Sequence, residues 1–259
     1  MAYPFQTIPH KEYPNTFLEN TAVTLISRKW NGEFNDNFTN LYPKFVERFF
    51  GLKKDAQLFK ETQEVSMTAP EDEITFTFRP DKANLRVGRK KYHTFVDNII
   101  PELLPLKDFM FGVMERESIE NVMVRKLNIF PIQADSVEEV KENTLEIYKY
   151  IYNIDLLGAG ALSNEDLSHD APWILDFRKG LFSNSENEVT IRIAIARAQG
   201  YEKTFNVVLD SSARCVNPSE IGEGAVDRIL LKLNDQLFDA YHWCVGNEII
   251  QLMEKENKG

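Results

Sequence analysis

The sequence predicts an α+β protein made of two similar β-α-β-β-β-α halves, with mainly antiparallel sheet covered by helices and a long C-terminal helix. Two observations support this fold class. Val189, Ile191, Ile193 and Ile195 alternate with smaller or polar residues, which is the period of a strand with one buried face. From Val226, apolar residues instead recur at the 3.6-residue period of an amphipathic helix that we expect to continue without a break past residue 253.

The first half begins with a strand and continues with a helix, three short strands and a second helix. Asn40 is a suitable N-cap for the first helix, and Gly51 is a suitable end. The three short strands alternate apolar with polar residues and are expected to form a meander. Pro101 interrupts the second helix. The predicted bounds are 22–29, 40–51, 65–68, 73–79, 84–87 and 92–104.

The second half repeats this order of elements, although no residue-level repeat accompanies it. Ser136 and Glu139 have the spacing of a capping box, which predicts the start of a helix. A glycine-flanked polar loop, 158–170, follows that helix. The predicted strands are 121–132, 173–177, 188–198 and 204–209. We therefore divide the chain into an N-terminal half, 1–115, and a C-terminal half, 116–259, that includes the long terminal helix.

Composition limits the classes of partner. The chain has 259 residues, 43% of them apolar, which is enough for one large core or two smaller ones. Forty acidic and thirty basic residues give a net charge of −10, so we expect neither nucleic acid nor an anionic membrane as a partner. Without an apolar run of about 18 residues the chain is expected to be cytoplasmic. Cys215 and Cys244 form no paired motif and are expected to stay reduced.

Motifs for catalysis or cofactor binding are absent from the sequence. The four histidines form no HExxH pair, no phosphate-binding loop occurs, and no Gly-x-Ser-x-Gly elbow is present. We therefore expect no cofactor and no metal, and we assign no catalytic residue. His169 lies beside Glu165, Asp166 and Asp170, a group that suits metal ligation or acid–base chemistry but is more typical of a solvated loop.

Arg125 and Asn128 in the strand 121–132 are the strongest candidates for ligand binding. A planar guanidinium beside an amide suits recognition of a carboxylate or phosphate, while the competing interpretation is an ion pair with one of the many acidic residues of the chain. A basic segment, 86–91, is a weaker candidate for nucleic-acid contact and more typical of a solvated turn.

Tyr241, His242 and Trp243 occupy successive positions of the predicted C-terminal helix. Three successive positions of a helix point in directions about 100° apart, so the three rings cannot all face one core. At least one of them is expected to reach a protein partner or the other half of the molecule. This predicts an interaction surface there and a homodimer or hetero-complex.

Some of these residues resemble an uncharacterised family of prokaryotic proteins of similar length, distributed sporadically across bacteria and archaea. That family has an Arg-Tyr-x-Asn-like strand, where this chain has Arg125-Lys126-Leu127-Asn128 without the tyrosine. Its C-terminal helix follows a Leu-His…Phe…Ile pattern, which Leu233, Leu237, Tyr241 and Val245 match and in which Asn234 replaces the histidine. The resemblance implies no established activity, and the family's distribution is typical of mobile-element or phage-defence genes.

The sequence thus favours a non-enzymatic cytosolic protein-interaction or regulatory protein, with a mobile-element or phage-defence association implied only by the resemblance. The alternative is an enzyme or a nucleotide or small-anion binder that uses a cleft between the two halves, lined by Arg125, Asn128 and His169. Catalytic activity is left open, because scattered Asp, Glu and Arg side chains also support catalysis.

Overall fold

Nine strands form one sheet in which every neighbouring pair is antiparallel, in the order β2-β3-β4-β5-β1-β6-β9-β8-β7. The computed structural model describes residues 5–9, 13, 16–26, 43, 47, 55–59, 64–69, 73–79, 82–88, 95–113, 119–153, 173–215 and 221–255. The strands are β1 Leu18–Ile26, β2 Asp55–Phe59, β3 Glu64–Ala69, β4 Ile74–Arg79, β5 Lys82–Gly88, β6 Asn121–Gln133, β7 Trp173–Ser183, β8 Asn187–Arg197 and β9 Thr204–Cys215. The α+β class is therefore confirmed.

The two strands at the centre of the sheet, β1 and β6, join the first part of the chain to the second. β1 also pairs with β5, the last strand of the β2-β3-β4-β5 meander, and β6 pairs with β9, the last strand of the β7-β8-β9 meander. The first meander has one strand more than the sequence predicted, because β2 is too short and too polar to show a clear alternation. Both parts of the chain thus contribute to one continuous sheet.

Five α-helices lie in the described chain. They are α1 Ile100–Lys107, α2 Val137–Glu142, α3 Thr144–Ile151, α4 Glu223–Cys244 and α5 Asn247–Glu254. The helix predicted at 40–51 lies outside the described residues apart from 43 and 47, as does the whole predicted loop at 158–170. No helix of the described residues is long and apolar enough to cross a membrane.

All five helices pack on the same face of the sheet. Alternate residues of each strand point to this face; for example, Val23 of β1 pairs with Val124 of β6, and Val124 pairs with Ala213 of β9. These residues lie in one core cluster with Leu103 of α1 and Leu230 of α4. A second cluster joins α2, α3 and α5 to β6, β8 and β9. Helix α4 contributes to both clusters and so holds the layer together.

A polar row on the helix-covered face runs between the two apolar clusters. Thr21 of β1 pairs with Lys126 of β6, and Lys126 pairs with Ser211 of β9. Thr21 and Ser211 are buried, and the Ser211 hydroxyl donates to the Lys126 carbonyl at 3.3 Å. These polar groups therefore divide the core into its two clusters in a direction across the strands.

The helical segment after β5 is longer than predicted and extends from Phe95 to Val113. Wider π-type turns, Phe95–Ile99 and Asp108–Val113, flank α1, and Pro105 lies inside it. Pro101 is the second residue of α1 and directly follows the first π-type segment. The predicted interruption at Pro101 is therefore a change from π-type to α-helical turns, because proline lacks the N–H that a regular helix would use there.

The predicted capping residues Ser136 and Glu139 begin α2. The Ser136 hydroxyl accepts from the Glu139 amide at 3.1 Å, and the Glu139 carboxylate accepts from the Asp135 amide at 2.6 Å. Glu139 thus satisfies the amide before the N-cap rather than that of Ser136 itself. The helix that follows is broken at Asn143, so α2 and α3 replace the single helix that the sequence predicted.

The predicted long C-terminal helix is present as α4, but it ends at Cys244 instead of continuing past residue 253, because the chain becomes extended there. Val245 forms an antiparallel bridge with Tyr152, and the Gly246 amide donates to the Ile151 carbonyl at 2.8 Å. A Cβ atom at Gly246 would lie 3.3 Å from the Tyr150 carbonyl oxygen, so the absent side chain permits this close approach. Pairing with a segment almost a hundred residues earlier therefore ends α4, and α5 begins in a new direction.

The last strand at one edge of the sheet, β7, is irregular. Its pairing with β8 shifts register between Trp173 and Leu175 and again between Gly180 and Phe182. Each shift places an extra residue in one strand, which is the geometry of a β-bulge. The exposed edge of β7 is therefore not a straight ladder.

We expect Leu233→Ala to lower the free energy of unfolding by about 2–5 kcal/mol, because Leu233 is fully buried and links α4 to the first core cluster. Urea unfolding followed by circular dichroism measures the change. Leu104→Ala is the matched control, since Leu104 is 51% exposed. Equal losses of stability in the two variants would contradict the assigned packing.

We expect the protein to lose stability as the pH rises above about 10, because burial raises the pKa values of Tyr148, Tyr152 and Tyr241. The folded state keeps these phenols neutral while the unfolded chain ionises them near pH 10. The buried phenols therefore leave the free energy of unfolding unchanged below about pH 10, and they lower it as the pH rises further. Urea midpoints at pH 8 and pH 10.5 measure the loss.

Tyr148→Phe should reduce this pH dependence while leaving the core intact, since the Tyr148 hydroxyl is buried and has no hydrogen-bond partner among the described residues. Tyr201→Phe is the control, because Tyr201 is 67% exposed. An unchanged pH dependence in Tyr148→Phe would show that its phenol titrates normally.

Candidate functional site

The sheet face opposite the five helices, which we call the open face, is covered by no described helix. On β6 it carries Met123 and Arg125, whose neighbours Val122 and Val124 point into the core. On β8 and β9 it carries the polar residues of each alternation, whereas Ile191 and Leu209 point to the helices. The open face is therefore where polar side chains of the sheet become available to a ligand.

A depression of about 530 Å³ lies on the open face over strands β6 to β9. We call it the arginine pocket. Residues of four strands line it, and they include three arginines, one carboxylate and two hydroxyls. These residues are Arg125, Arg178, Arg192, Asp210, Thr190 and Ser212.

Strand register brings these residues together from distant parts of the chain. Arg125 pairs with Ser212, which pairs with Thr190, so the three lie in one row across β6, β9 and β8. In the next row Asp210 pairs with Arg192, which pairs with Arg178. Paired positions on adjacent antiparallel strands lie about 5 Å apart, so side chains of both rows reach a common ligand.

Arg125 forms a two-point ion pair with Asp210. Its Nε donates to Oδ1 at 2.7 Å and its Nη2 donates to Oδ2 at 2.5 Å. The Asp210 side chain is only 10% exposed, whereas that of Arg125 is 49% exposed. Asp210 therefore holds one edge of the guanidinium while the rest of it remains accessible to solvent. These hydrogen bonds also raise the pKa of Arg125, so it stays charged at every accessible pH.

Two further arginines and two hydroxyls line the pocket. Arg192 lies close enough to Arg125 that its charge acts to lower the pKa of Arg125. Arg178 is exposed at the rim. The Thr190 and Ser212 hydroxyls lie 2.8 Å apart, so one donates to the other and further lone pairs remain available. At Gly180 no atom lies within 4 Å of where a Cβ would be, which leaves that side of the pocket open.

The structure places the residues that the sequence singled out for ligand binding in different surroundings. Arg125 lies in the arginine pocket. Asn128 is 4% exposed and points to the helix-covered face, because an offset of three residues along a strand reverses the side-chain direction. His169 lies outside the described residues. The pocket lies over strands of the C-terminal half, not in a cleft between the halves.

The three consecutive rings at the end of α4 each have a partner within the chain. The Tyr241 hydroxyl donates to the Met253 sulfur at 3.2 Å, and the Trp243 ring lies 5.8 Å from the Phe5 ring. His242 Nδ1 lies 2.9 Å from the Phe238 carbonyl oxygen, and its Nε2 is hydrogen-bonded to the Tyr13 hydroxyl. The predicted interaction surface at these residues stays a prediction.

No group of three His, Cys, Asp or Glu side chains in the described part of the chain is arranged to hold a metal ion. Cys215 and Cys244 are buried free thiols, and burial raises the pKa of Cys244. A thiol that stays protonated is a poor nucleophile and a poor ligand. The arginine pocket is therefore the site at which the described residues offer converging polar groups to a ligand.

The sequence pattern did not single out five of the pocket residues for ligand binding, namely Arg178, Thr190, Arg192, Asp210 and Ser212. The alternation of β8 does place Thr190 and Arg192 opposite its buried residues, which indicates the face they share. Which strands lie beside β8, and in what register, depends on pairing between distant segments. The alternation of β8 therefore predicts the face to which these side chains point. It cannot predict which residues of the adjacent strands lie beside them.

No protein-family model matches this chain, and no curated protein matches it by sequence. Among solved structures, the chain is similar to the TBP of Methanococcus jannaschii with 11% identity and a TM-score of 0.25, over 85% of this chain and 97% of that one. A TM-score this low does not show a shared fold.

We expect the Arg125–Asp210 pair to show coupling in a double-mutant cycle. Arg125→Met should lower the free energy of unfolding by about 1–3 kcal/mol, because it leaves a nearly buried carboxylate without its donor. Replacing both residues in Arg125→Met/Asp210→Leu should recover part of this loss. Urea unfolding of the four proteins gives the coupling.

The exposed pair of Lys203 and Asp135 is the matched control, with side chains 70% and 81% exposed. There, solvent screening should leave no measurable coupling. If the two pairs gave the same coupling, the partial burial of Asp210 would have no energetic role.

Proposed function

We propose that this chain is a binding protein that takes a phosphate-bearing ligand into the arginine pocket. The observation that carries the proposal is the convergence of Arg125, Arg178 and Arg192 in one depression, whose described lining includes one carboxylate. Arg178 is exposed and the Arg125 side chain is 49% exposed, so both can donate N–H groups to an anion that enters the depression.

The geometry of the pocket supports phosphate as the bound group. Guanidinium groups donate parallel N–H bonds that match phosphate oxygens, and Asp210 holds Arg125 in place before a ligand arrives. Thr190 and Ser212 add hydroxyls in the same row. The volume of about 530 Å³ lies within the range of small-molecule sites, about 300–1,000 Å³.

Binding rather than catalysis is the role that these groups support. Asp210 is the carboxylate that lines the pocket, and both of its oxygens accept from Arg125. A carboxylate held in this way is a weak general base. We therefore propose small-anion binding, the alternative that the sequence left open, and assign it to this sheet face.

Isothermal titration calorimetry with inorganic phosphate and with pyrophosphate tests the proposal. We expect both to bind at low ionic strength, with pyrophosphate the tighter because it carries more charge. Arg178→Ala should weaken binding about 10- to 100-fold, because a hydrogen bond to a charged group contributes about 1.5–3 kcal/mol.

Lys149→Ala is the matched control, since Lys149 lies on α3 in the helix layer and pairs there with Glu146. Lys149→Ala changes the net charge of the chain as much as Arg178→Ala does, but it removes no charge from the pocket. Absence of binding by the unsubstituted protein, or equal losses in Arg178→Ala and Lys149→Ala, would overturn the proposal.

A further inference from the structure

The floor of the arginine pocket is made of short side chains. Ser212 of β9 pairs with Thr190 of β8, and Thr190 pairs with Gly180 of β7, so these three residues form one row across adjacent strands. Longer side chains lie in the rows on either side, which are Arg214 with Glu188 and Asp210 with Arg192 and Arg178. The depression thus has its depth where the two hydroxyls and the glycine lie.

The two hydroxyls of the floor can accept more hydrogen bonds than they can donate. The Thr190 and Ser212 oxygens lie 2.8 Å apart, so one hydroxyl uses its proton on the other. One O–H of the pair therefore remains to donate to a ligand, whereas most lone pairs of the two oxygens remain to accept. The dianion of a phosphate ester only accepts, so it uses the smaller part of this capacity. A ligand hydroxyl both donates and accepts, so it uses both parts.

The carboxylates in the rows beside the floor already accept from arginines. Both oxygens of Asp210 accept from Arg125. In the other row, Arg214 Nε lies 2.9 Å from Oε1 of Glu188, and its Nη2 donates to Oε2 at 3.0 Å. The described floor therefore presents hydroxyl oxygens, rather than unpaired carboxylates, to a ligand.

The pocket is larger than a phosphate group. Its volume is about 530 Å³, and Arg125 and Arg178 lie on strands three spacings apart, which is about 14 Å. A ligand in contact with both arginines therefore extends across the hydroxyl floor between them. Met123 also lines the pocket and offers an apolar contact to C–H groups. None of the described lining residues is aromatic, so no ring is placed there to stack on a nucleobase.

We propose that the ligand of the arginine pocket is a sugar phosphate, whose ring hydroxyls form hydrogen bonds with Thr190 and Ser212. This inference rests on the proposed phosphate site and extends it to a class of ligand. Arg125 and the exposed Arg178 donate to the phosphate, as in the proposed function. The hydroxyl pair adds specificity, because a site that hydrogen-bonds a ligand hydroxyl binds the analogue without that hydroxyl more weakly.

Isothermal titration calorimetry with methyl phosphate, ribose 5-phosphate, glucose 6-phosphate and adenosine monophosphate tests this inference. Methyl phosphate carries the same charged group as the sugar phosphates but no ring hydroxyl. We expect at least one sugar phosphate to bind about tenfold more tightly than methyl phosphate, which is the effect of one additional hydrogen bond. Adenosine monophosphate adds a base to ribose phosphate, and we expect it to bind no more tightly than ribose 5-phosphate.

Thr190→Val removes one floor hydroxyl and keeps the β-branched shape that suits a strand. We expect it to weaken binding of the sugar phosphate about tenfold and to leave the affinity for methyl phosphate unchanged. Thr204→Val is the matched control, because Thr204 lies on β9 outside the pocket and its hydroxyl bonds with Gln133. It should leave both affinities unchanged, and circular dichroism checks that both variants fold.

Methyl phosphate separates this inference from the proposed function. If it binds and neither sugar phosphate binds more tightly, the sugar phosphate inference is overturned and the phosphate site remains. Equal losses for methyl phosphate and the sugar phosphate in Thr190→Val would do the same, because the hydroxyl would then contact the phosphate. Tighter binding of adenosine monophosphate than of ribose 5-phosphate would overturn the inference in favour of a nucleotide. Failure of all four ligands to bind would overturn both proposals.

Discussion

The structure depends on one constraint, which is that the described helices cover the nine-stranded sheet on one face only. Every strand must therefore place its apolar residues on the same side, and the register must align them; the row Leu85, Val23, Val124, Ala213 and Val189 shows this alignment across five strands. Burial of these side chains stabilises the fold. It also determines that every residue between them points to the open face, where the arginine pocket lies.

The pairing of β1 with β6 has a second role, because it turns two meanders into one surface. Without it, the strands from β2 to β5 and the strands from β6 to β9 would belong to separate sheets. The polar row of Thr21, Lys126 and Ser211 crosses this junction on the helix-covered face. On that face it separates the two apolar clusters.

Local patterns in the sequence were sufficient for the elements that depend on near neighbours. The spacing of Ser136 and Glu139 predicted the start of α2, and the alternation from Val189 to Ile195 predicted β8 and its buried face. The same rule of alternation, applied to Arg125 and Asn128, would have placed them on opposite faces, since they are three residues apart. That error came from treating nearness in sequence as nearness in space.

Features that depend on distant pairing could not be predicted in this way. The end of α4 at Cys244 requires the bridge between Val245 and Tyr152, and the helical period continues through Val245 as if no break were present. Likewise, Asp210 meets Arg125 only because β9 lies beside β6. Register is a property of the whole sheet, so the composition of the pocket becomes visible only when the strand order is known.

The two register shifts in β7 have a consequence for behaviour at high protein concentration. A straight, unpaired edge strand is a template onto which a strand from another molecule can add, and natural sheets avoid this with bulges and charges. The shifts at Trp173/Leu175 and Gly180/Phe182, with Arg178 and Lys179 between them, interrupt the regular row of amides and carbonyls that β7 directs away from β8. This edge of the described sheet is thereby less suited to the addition of a strand from another chain.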